Sequence, residues 1–188
     1  GIVGVPSNYG GFETLVENLL NYIPENFNVT VYCQNSAYSE KKQNYKNANL
    51  KYINYKANGI SSILYDSVSI LKSYKTTDIL LILGVSGAII LPFIKPFFKG
   101  KIITNIDGLE WKRDKWNFVT SKFLKFSEKL SVKFSDYIIA DNINIQKHVT
   151  AFYNKKSYMI PYGGDHVNST KDFAIIKTYK IKKQQYFL

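Results

Sequence analysis

The 188-residue sequence contains a single cysteine and only two histidines. One thiol excludes an intramolecular disulfide, so the chain lacks the cross-links that are typical of small secreted domains. Cys33 ends the apolar run 29–32, which predicts a buried structural thiol and favours the cytoplasm as the compartment. Cys33, His148 and His166 show no metal-ligand spacing. The sequence therefore predicts no metal site, and we expect His148 to lie on the surface of a helix.

Long hydrophobic runs and the common nucleotide-binding motifs are also missing. The most apolar stretch, residues 79–94, is shorter than the roughly 20 residues of a transmembrane helix. It is interrupted by two glycines and a proline, and predicts a buried strand, a turn and a helix. The pattern G-x-G-x-x-G and a Walker A lysine are absent, so the usual NAD and ATP motifs are excluded and no cofactor is expected. Without a G-x-S-x-G elbow, hydrolase chemistry has no support.

Acidic residues are scarce: 14 Asp and Glu stand against 25 Lys and Arg, which gives a net charge of +11. This surplus favours contact with the phosphates of nucleic acid, anionic lipid or diphosphate-linked substrates. An AT-rich genome is an alternative origin for part of the lysine content. The charge is not accompanied by a recognised nucleic-acid-binding motif or by a clustered platform for stacking bases, so nucleic acid is not an expected partner.

Short β-branched runs alternate with longer segments of helical period, which indicates βαβ units around a parallel sheet. The predicted strands are 1–5, 28–33, 50–55, 78–83, 101–106, 136–140 and 157–161. The predicted helices are 11–23, 61–75, 86–94, 115–134 and 142–153. Residues 35–49 lack a clear period and predict an exposed loop. The pattern predicts an α/β fold with a Rossmann-like, doubly wound and mostly parallel sheet.

The domain predicted from this pattern spans residues 1–165. Residues 166–188 predict a linker, a basic helix-like segment from Phe173 to Lys183 and the start of a further strand. Sheets of this class bind ligands beyond the C-terminal ends of their strands. A functional site is therefore expected in the loops that follow residues 5, 83, 106 and 140.

The loop after the first predicted strand carries two adjacent glycines, Gly10 and Gly11, just before a helix. Glycine lets a backbone approach a ligand closely, and the free N–H groups of a first helical turn attract phosphate or carboxylate. The pattern is typical of diphosphate binding, with Glu13 at the helix start. The alternative interpretation is a tight strand-to-helix turn that requires glycine.

The loop after the fifth predicted strand concentrates polar and aromatic residues. They are Asp107, Glu110, Trp111, Lys112 and Arg113. Carboxylates hydrogen-bond hydroxyl groups, a tryptophan stacks on a sugar ring, and the two cations neutralise phosphate. We therefore interpret this loop as a segment that binds sugar and phosphate. The alternative is a surface loop in which Glu110 pairs with Lys112 or Arg113.

The helix predicted at 115–134 carries two stripes at the helical period. The apolar stripe consists of Trp116, Val119, Phe123, Phe126, Leu130 and Phe134. The basic stripe beside it consists of Lys115, Lys122, Lys125, Lys129 and Lys133. Aromatic residues bordered by lysines suit the surface of an anionic membrane. The alternative is a helix whose apolar stripe faces the core and whose lysines extend to solvent.

Three motifs, in their order and spacing, resemble a known family. They are Gly-Gly-Phe-Glu at 10–13, Asp-Gly-Leu-Glu-Trp-Lys-Arg at 107–113 and Ile-Pro-Tyr-Gly-Gly-Asp at 160–165. Together they resemble the acceptor-side domain of retaining GT-B glycosyltransferases of the family 4 type. Within that family the sequence is most similar to bacterial rhamnosyltransferases of capsule and exopolysaccharide assembly. The resemblance covers essentially the whole chain and implies one half of a GT-B fold.

The resemblance also implies roles for individual residues. The implied catalytic residues are Asp107 and Glu110, near the transferred sugar. The implied substrate- and diphosphate-binding residues are Gly10, Gly11, Glu13, Trp111, Lys112, Arg113 and Asp165. Asp165 matches the crossover into a donor-binding domain, for which a plain turn is the alternative.

The implied reaction is transfer of a sugar from a nucleotide-sugar donor, dTDP-rhamnose or a similar one, to a lipid-diphosphate-linked saccharide. A second domain would bind most of the donor, so the chain alone is expected to be inactive in transfer. The expected location is the cytoplasm, at the inner face of the plasma membrane, with peripheral contact to anionic lipid. The alternative is a non-catalytic module that docks on a membrane or a partner and pairs with a separate donor-binding subunit.

Overall fold

Seven strands form two sheets in the computed structural model, which describes residues 1–8 and 10–164. The strands are β1 (Val29–Gln34), β2 (Asn44–Tyr45), β3 (Ala48–Ile53), β4 (Ile79–Leu83), β5 (Lys101–Ile106), β6 (Tyr137–Ala140) and β7 (Tyr158–Met159). The first sheet has the order β1-β3-β2, in which β1 and β3 are parallel and β2 is antiparallel to β3. The second sheet has the order β4-β5-β6-β7 and is parallel throughout.

The described residues form five α-helices, of which the first precedes β1 and the other four connect strands. They are α1 (Gly11–Leu19), α2 (Ser62–Ser73), α3 (Leu91–Ile94), α4 (Phe118–Phe134) and α5 (Ile143–Tyr153). Local sequence explains where the last two begin: the side chains of Asn117 and Asn142 accept hydrogen bonds from backbone amides of the first turns of α4 and α5. Such asparagine caps stabilise a helix start by about 1 kcal/mol. A left-handed Asn154 ends α5.

The N-terminal segment 1–5 lies between the two sheets. The Gln34 amide donates to the Val3 carbonyl at 2.7 Å, and the Gly1 nitrogen donates to the Leu83 carbonyl at 2.5 Å. The prediction of a regular strand here was wrong, because these contacts do not extend into a ladder. Gly4, with φ of +138°, takes the backbone out of the β region at this point. The segment nevertheless joins β1 to β4, so the C-terminal ends of the parallel strands share one edge.

Helices lie on both sides of the sheets, as in a doubly wound, Rossmann-like fold. Helix α1 packs through Val16 and Leu20 on a core that contains Val31 and the fully buried Cys33. Burial raises the pKa of the Cys33 thiol. Helices α2 to α5 pack on the opposite side of the second sheet, around Ile102 and other buried strand residues. The predicted fold class is confirmed.

The inward face of α4 differs from the predicted apolar stripe. Its buried residues are Leu124, Ser127, Glu128, Ser131 and Val132, whereas Val119 and Phe126 are exposed. Phe134 alone of the stripe packs against a buried core cluster. The alternative in which the whole stripe faces the core is therefore wrong, because small polar side chains allow the other face to lie against the sheet.

Several smaller predictions have clear outcomes. Residues 79–94 form β4, a 3-10 helix and α3, which confirms the strand, turn and helix. The segment 35–49 contains a 3-10 helix and the short β2, so its prediction as a loop was incomplete. Within the described part of the chain, none of the helices combines the length and apolarity needed to span a membrane. Asp165 and the predicted linker 166–188 lie outside the described residues.

Candidate functional site

The predicted glycine loop leads directly into α1, with Gly10 at the N-cap and Gly11 as the first helical residue. The Gly10 carbonyl accepts hydrogen bonds from the backbone and hydroxyl of Thr14. Neither glycine adopts a left-handed backbone, and a Cβ added at Gly11 would have no atom within 4 Å. No side chain among the described residues caps this helix start. The Cβ position of Gly11 therefore faces open space, and the amides of a first helical turn attract an approaching anion.

Glu13 lies behind the glycine loop. Its side chain is buried, and Oε1 accepts a hydrogen bond of 2.6 Å from the Val3 amide. The sequence predicted Glu13 as a binding residue at the helix start. The observed contact instead gives it a structural role, because it holds the N-terminal segment against α1.

Asp107 follows β5 at the same edge of the sheet. Its residue surface is exposed, yet its pKa is raised above the ordinary value of an aspartate. The main cause is burial by surrounding protein, which weakens hydration of the charged form, and the nearby carboxylates of Asp141 and Glu110 add to it. The Asp107 residue thus lies at the surface, with enough protein around it for burial to raise its pKa. This is the position expected of a group that contacts a ligand.

The Glu110 carboxylate binds other side chains of its own loop. Its carboxylate accepts hydrogen bonds from Arg113 at 2.9 Å and from the Trp116 ring nitrogen at 3.1 Å, and lies 2.8 Å from Lys115 Nζ. Burial raises the pKa of Glu110, but the bonds from Lys115 and Arg113 outweigh burial and hold it below its ordinary value. The pairing of Glu110 with Arg113 is thus one of the alternatives that the sequence left open, and this geometry favours a structural over a catalytic Glu110.

The Trp111 side chain is hydrogen-bonded to a buried cluster of polar residues. Its ring nitrogen donates at 3.0 Å to Glu128, whose side chain is fully buried in α4. The other Glu128 oxygen lies 2.7 Å from His148 Nε2 and accepts a bond of 2.7 Å from the Tyr153 hydroxyl. Lys112 lies over the Trp111 ring, 5.2 Å from its centre. The cluster fixes the orientation of the tryptophan relative to α4 and α5.

The sequence did not predict this cluster. His148 was expected on a helix surface, but its side chain is only 8% exposed and faces Glu128. That expectation was wrong because the partner, Glu128, lies on a different helix and appears in the sequence among lysines. A glutamate on the same helical face as two serines, Ser127 and Ser131, was the available signal that this face is not solvent-exposed.

Asn105, Asp141 and Tyr162 complete the edge of the sheet. The Tyr162 hydroxyl interacts with the Asn105 side chain and lies near Asp107 and Asp141, and burial followed by these carboxylates raises the pKa of Tyr162. The Tyr162 ring meets that of Phe12, in the first turn of α1, with 6.3 Å between centres. Tyr162 therefore links the glycine loop to the carboxylates that follow β5 and β6.

The sequence of residues 1–165 matches the family described as Domain of unknown function (DUF1972). The chain belongs to this family. No curated protein matches it. The match includes the glycine loop, the loop after β5 and the turn in which Tyr162 lies, so the DUF1972 domain contains every predicted site residue.

The DUF1972 domain brings together part of the predicted site. Gly10, Gly11 and Asp107 lie at one edge, joined by Asn105 and Tyr162, which the sequence analysis missed. Trp111, Lys112 and Arg113 lie further along the loop, where Trp111 is hydrogen-bonded to Glu128 and Arg113 to Glu110. Asp165 is outside the described residues.

The polar groups at this edge of the sheet suit a ligand that carries hydroxyl and phosphate groups. The buried Asn105 Oδ1 has no hydrogen-bond partner among the described residues. The Tyr162 hydroxyl, which interacts with the Asn105 side chain, also lies near Asp107 and Asp141, whose pKa values are raised. Oxygens of this kind can accept hydrogen bonds from hydroxyls, and the free amides of a helix start attract phosphate. In the described part of the chain, no three His, Cys, Asp or Glu side chains form a metal-ligand group.

Proposed function

We propose that this DUF1972 domain is the acceptor-side half of a retaining GT-B glycosyltransferase. The proposed enzyme transfers a sugar from a nucleotide sugar, dTDP-rhamnose or a similar donor, to a lipid-diphosphate-linked saccharide in bacterial surface polysaccharide synthesis. The family is associated with glycosyltransferase-like proteins, which supports this class of reaction. The proposed place of action is the cytoplasmic face of the plasma membrane.

The main support is the open start of α1 beside the carboxyls that follow β5 and β6. Gly11 has ordinary backbone angles and free space around its Cβ position, so the fold itself does not require glycine there. A glycine at such a position is explained by a ligand that approaches the backbone closely. A diphosphate fits the positive end of the helix, and the Asp107 carboxylate is suited to accept a hydrogen bond from a sugar hydroxyl.

In the proposed reaction the bond between the sugar and the donor phosphate breaks while the acceptor oxygen bonds to the anomeric carbon, and the proton of the acceptor hydroxyl passes to the departing diphosphate. Negative charge then develops on the departing diphosphate, and the first-turn amides of α1 stabilise it. Asp107 and Asn105 orient the sugar, which raises the rate because the reacting atoms are held in position. The Trp111 ring, fixed through Glu128, offers an apolar face at the rim of the site.

The decisive test is transfer activity of the gene product that contains this domain. Purified protein is incubated with labelled dTDP-rhamnose or UDP-sugars and with lipid-linked saccharides from the host membrane, and labelled lipid is separated by chromatography. Asp107→Asn should lower turnover by roughly 100-fold, as removal of a key polar contact in an active site does. Asp114→Asn, in the same exposed loop, is the matched control and should retain activity.

Two outcomes would contradict the proposal. One is the absence of transfer from every nucleotide sugar tested, which would favour a non-catalytic module that pairs with a separate donor-binding subunit. The other is an Asp107→Asn variant that works as well as the wild type. In that case the edge of the sheet would not be the reaction site.

A further inference from the structure

The outward side of α3, of the turn that follows it and of α4 exposes large apolar side chains. Phe97 is 77% exposed, Phe93 68% and Phe126 52%. We call this surface the outer patch, and its residues are Phe93, Phe97, Phe118, Val119, Phe126, Lys122, Lys129 and Lys133. Several large apolar side chains exposed on neighbouring helices indicate a place of contact with another molecule.

The two parts of the outer patch are neighbours because α3 and α4 contact each other. Leu91 and Ile94 of α3 are buried and face the core, together with Leu124 and Val132 of α4. The exposed phenylalanines therefore lie on the opposite, outward side of both helices. They contribute little to the core that holds the helices in place.

Charge identifies the partner that suits this surface. Lys122, Lys129 and Lys133 are exposed along α4, and Lys122 Nζ lies 4.2 Å from the centre of the Phe118 ring. The one acidic residue within Phe118–Phe134 is Glu128, and it is fully buried on the inward side. The outer face of α4 is thus purely basic between its aromatic residues.

We infer that the outer patch docks on an anionic lipid bilayer. Phenylalanines enter the boundary between headgroups and acyl chains, while lysines beside them interact with anionic headgroups. The surface is too basic for a partner bound by apolar contact alone, and the bilayer supplies both the apolar layer and the negative charge. The inference deepens the proposed function, since it names the surface that brings the domain to a lipid-linked acceptor.

Vesicle flotation of the 188-residue chain tests the inference without any sugar, so its failure is separable from failure of the proposed reaction. The probes are phosphatidylcholine vesicles with and without phosphatidylglycerol. One variant, Lys122→Glu with Lys129→Glu, reverses two positive charges of the outer patch. Its control, Lys51→Glu with Lys56→Glu, reverses two positive charges at exposed positions in and near β3.

A second pair of variants tests the apolar contribution. Phe93→Ser with Phe97→Ser removes exposed phenylalanines of the outer patch. The control, Tyr22→Ser with Ile60→Ser, removes apolar side chains that are similarly exposed elsewhere, at 80% and 64%. Circular dichroism of all variants establishes that each is folded before its binding is compared.

Wild-type protein should float with the anionic vesicles and far less with the neutral ones. Each lysine beside an anionic surface contributes roughly fivefold in binding, so the Lys122 and Lys129 variant should bind at least about 25-fold more weakly. The Phe93 and Phe97 variant should also lose binding, and both controls should bind as the wild type does. Patch variants that bind normally, controls that lose as much, or a wild type that ignores anionic vesicles would each overturn the inference.

Discussion

Replacing Gly11 by alanine tests whether this glycine is needed for ligand binding or for the turn itself. Gly11 is the first residue of α1, its backbone is not left-handed, and a Cβ there would meet no atom within 4 Å. Alanine therefore fits without strain and restricts the unfolded chain. We expect the free energy of unfolding to rise by about 0.5 kcal/mol, within the usual range for such a change.

Gly59 provides the matched control. A Cβ at Gly59 would also meet nothing within 4 Å, but its φ is +67°, in the left-handed region. Gly59→Ala should therefore lower the free energy of unfolding by roughly 1 kcal/mol, since alanine is strained in this conformation. Urea denaturation followed by tryptophan fluorescence measures both variants, and the two changes should have opposite signs.

Ligand binding supplies the second half of this prediction. Titration of the wild type with pyrophosphate should shift the NMR signals of the Gly10 and Gly11 amides. In Gly11→Ala the added methyl group obstructs the phosphate, and loss of one charge-assisted hydrogen bond weakens binding about tenfold or more. If Gly11→Ala loses stability as Gly59→Ala does, or binds pyrophosphate as the wild type does, the reasoning about close approach is refuted.

Three further substitutions test carboxyl groups whose surroundings affect stability. The raised pKa of Asp107 means that its charged form opposes folding at neutral pH, so Asp107→Asn should raise the free energy of unfolding at pH 7. This gain should fade as pH falls through the raised pKa of the folded state and be absent below about 4. Glu128→Ala leaves three donors without an acceptor and should cost about 3 kcal/mol or more in a urea titration, whereas Glu128→Gln should cost less. Asp136 accepts bonds from the Ile102 amide and Lys95. Burial alone would raise the pKa of Asp136, but these bonds outweigh burial and hold it below its ordinary value. The stabilisation by Asp136 is therefore present above about pH 4 and is lost as pH falls through the pKa of the folded state. Asp136→Asn should cost about 1.5 kcal/mol and flatten this acid dependence.

Two of these substitutions have matched controls. Asp114→Asn should change the free energy of unfolding little at pH 7, because Asp114 lies exposed in the same loop as Asp107. Tyr153→Phe removes a single donor to Glu128 and should cost no more than about 1.5 kcal/mol. A Glu128→Ala variant as stable as wild type, or an Asp136→Asn variant with unchanged acid dependence, would contradict the roles assigned to these carboxylates.

Much of the architecture was predictable from periodicity. Lys101–Ile106 was predicted residue for residue, and the starts of α1, α2 and α5 within one residue, because glycine, serine and asparagine mark turns and caps. The segment 1–5 was not predictable as an interrupted connection, since its β-branched residues read as a strand and only the conformation of Gly4 breaks it.

The site was harder to predict because its parts come from separate loops. Asp107 and the glycine pair were among the predicted candidates, since each motif is dense in functional residue types. Tyr162 and Asn105 were missed, because their significance arises only when the loop after β7 meets the first turn of α1. The inward face of α4 was not predicted for a related reason. The buried Glu128 on this face is stabilised by hydrogen-bond donors on other elements, and the helical period of α4 alone does not reveal them.

The buried Cys33 makes the domain convenient for labelling with a single probe. It is the sole cysteine of the sequence, it is fully enclosed, and burial raises its pKa, so its thiol is a poor nucleophile under native conditions. A cysteine introduced at Gly11 or Phe97 would thus be the one reactive thiol on the folded protein. Fluorescent or spin labels at these two positions would report separately on diphosphate at the start of α1 and on lipid at the outer patch.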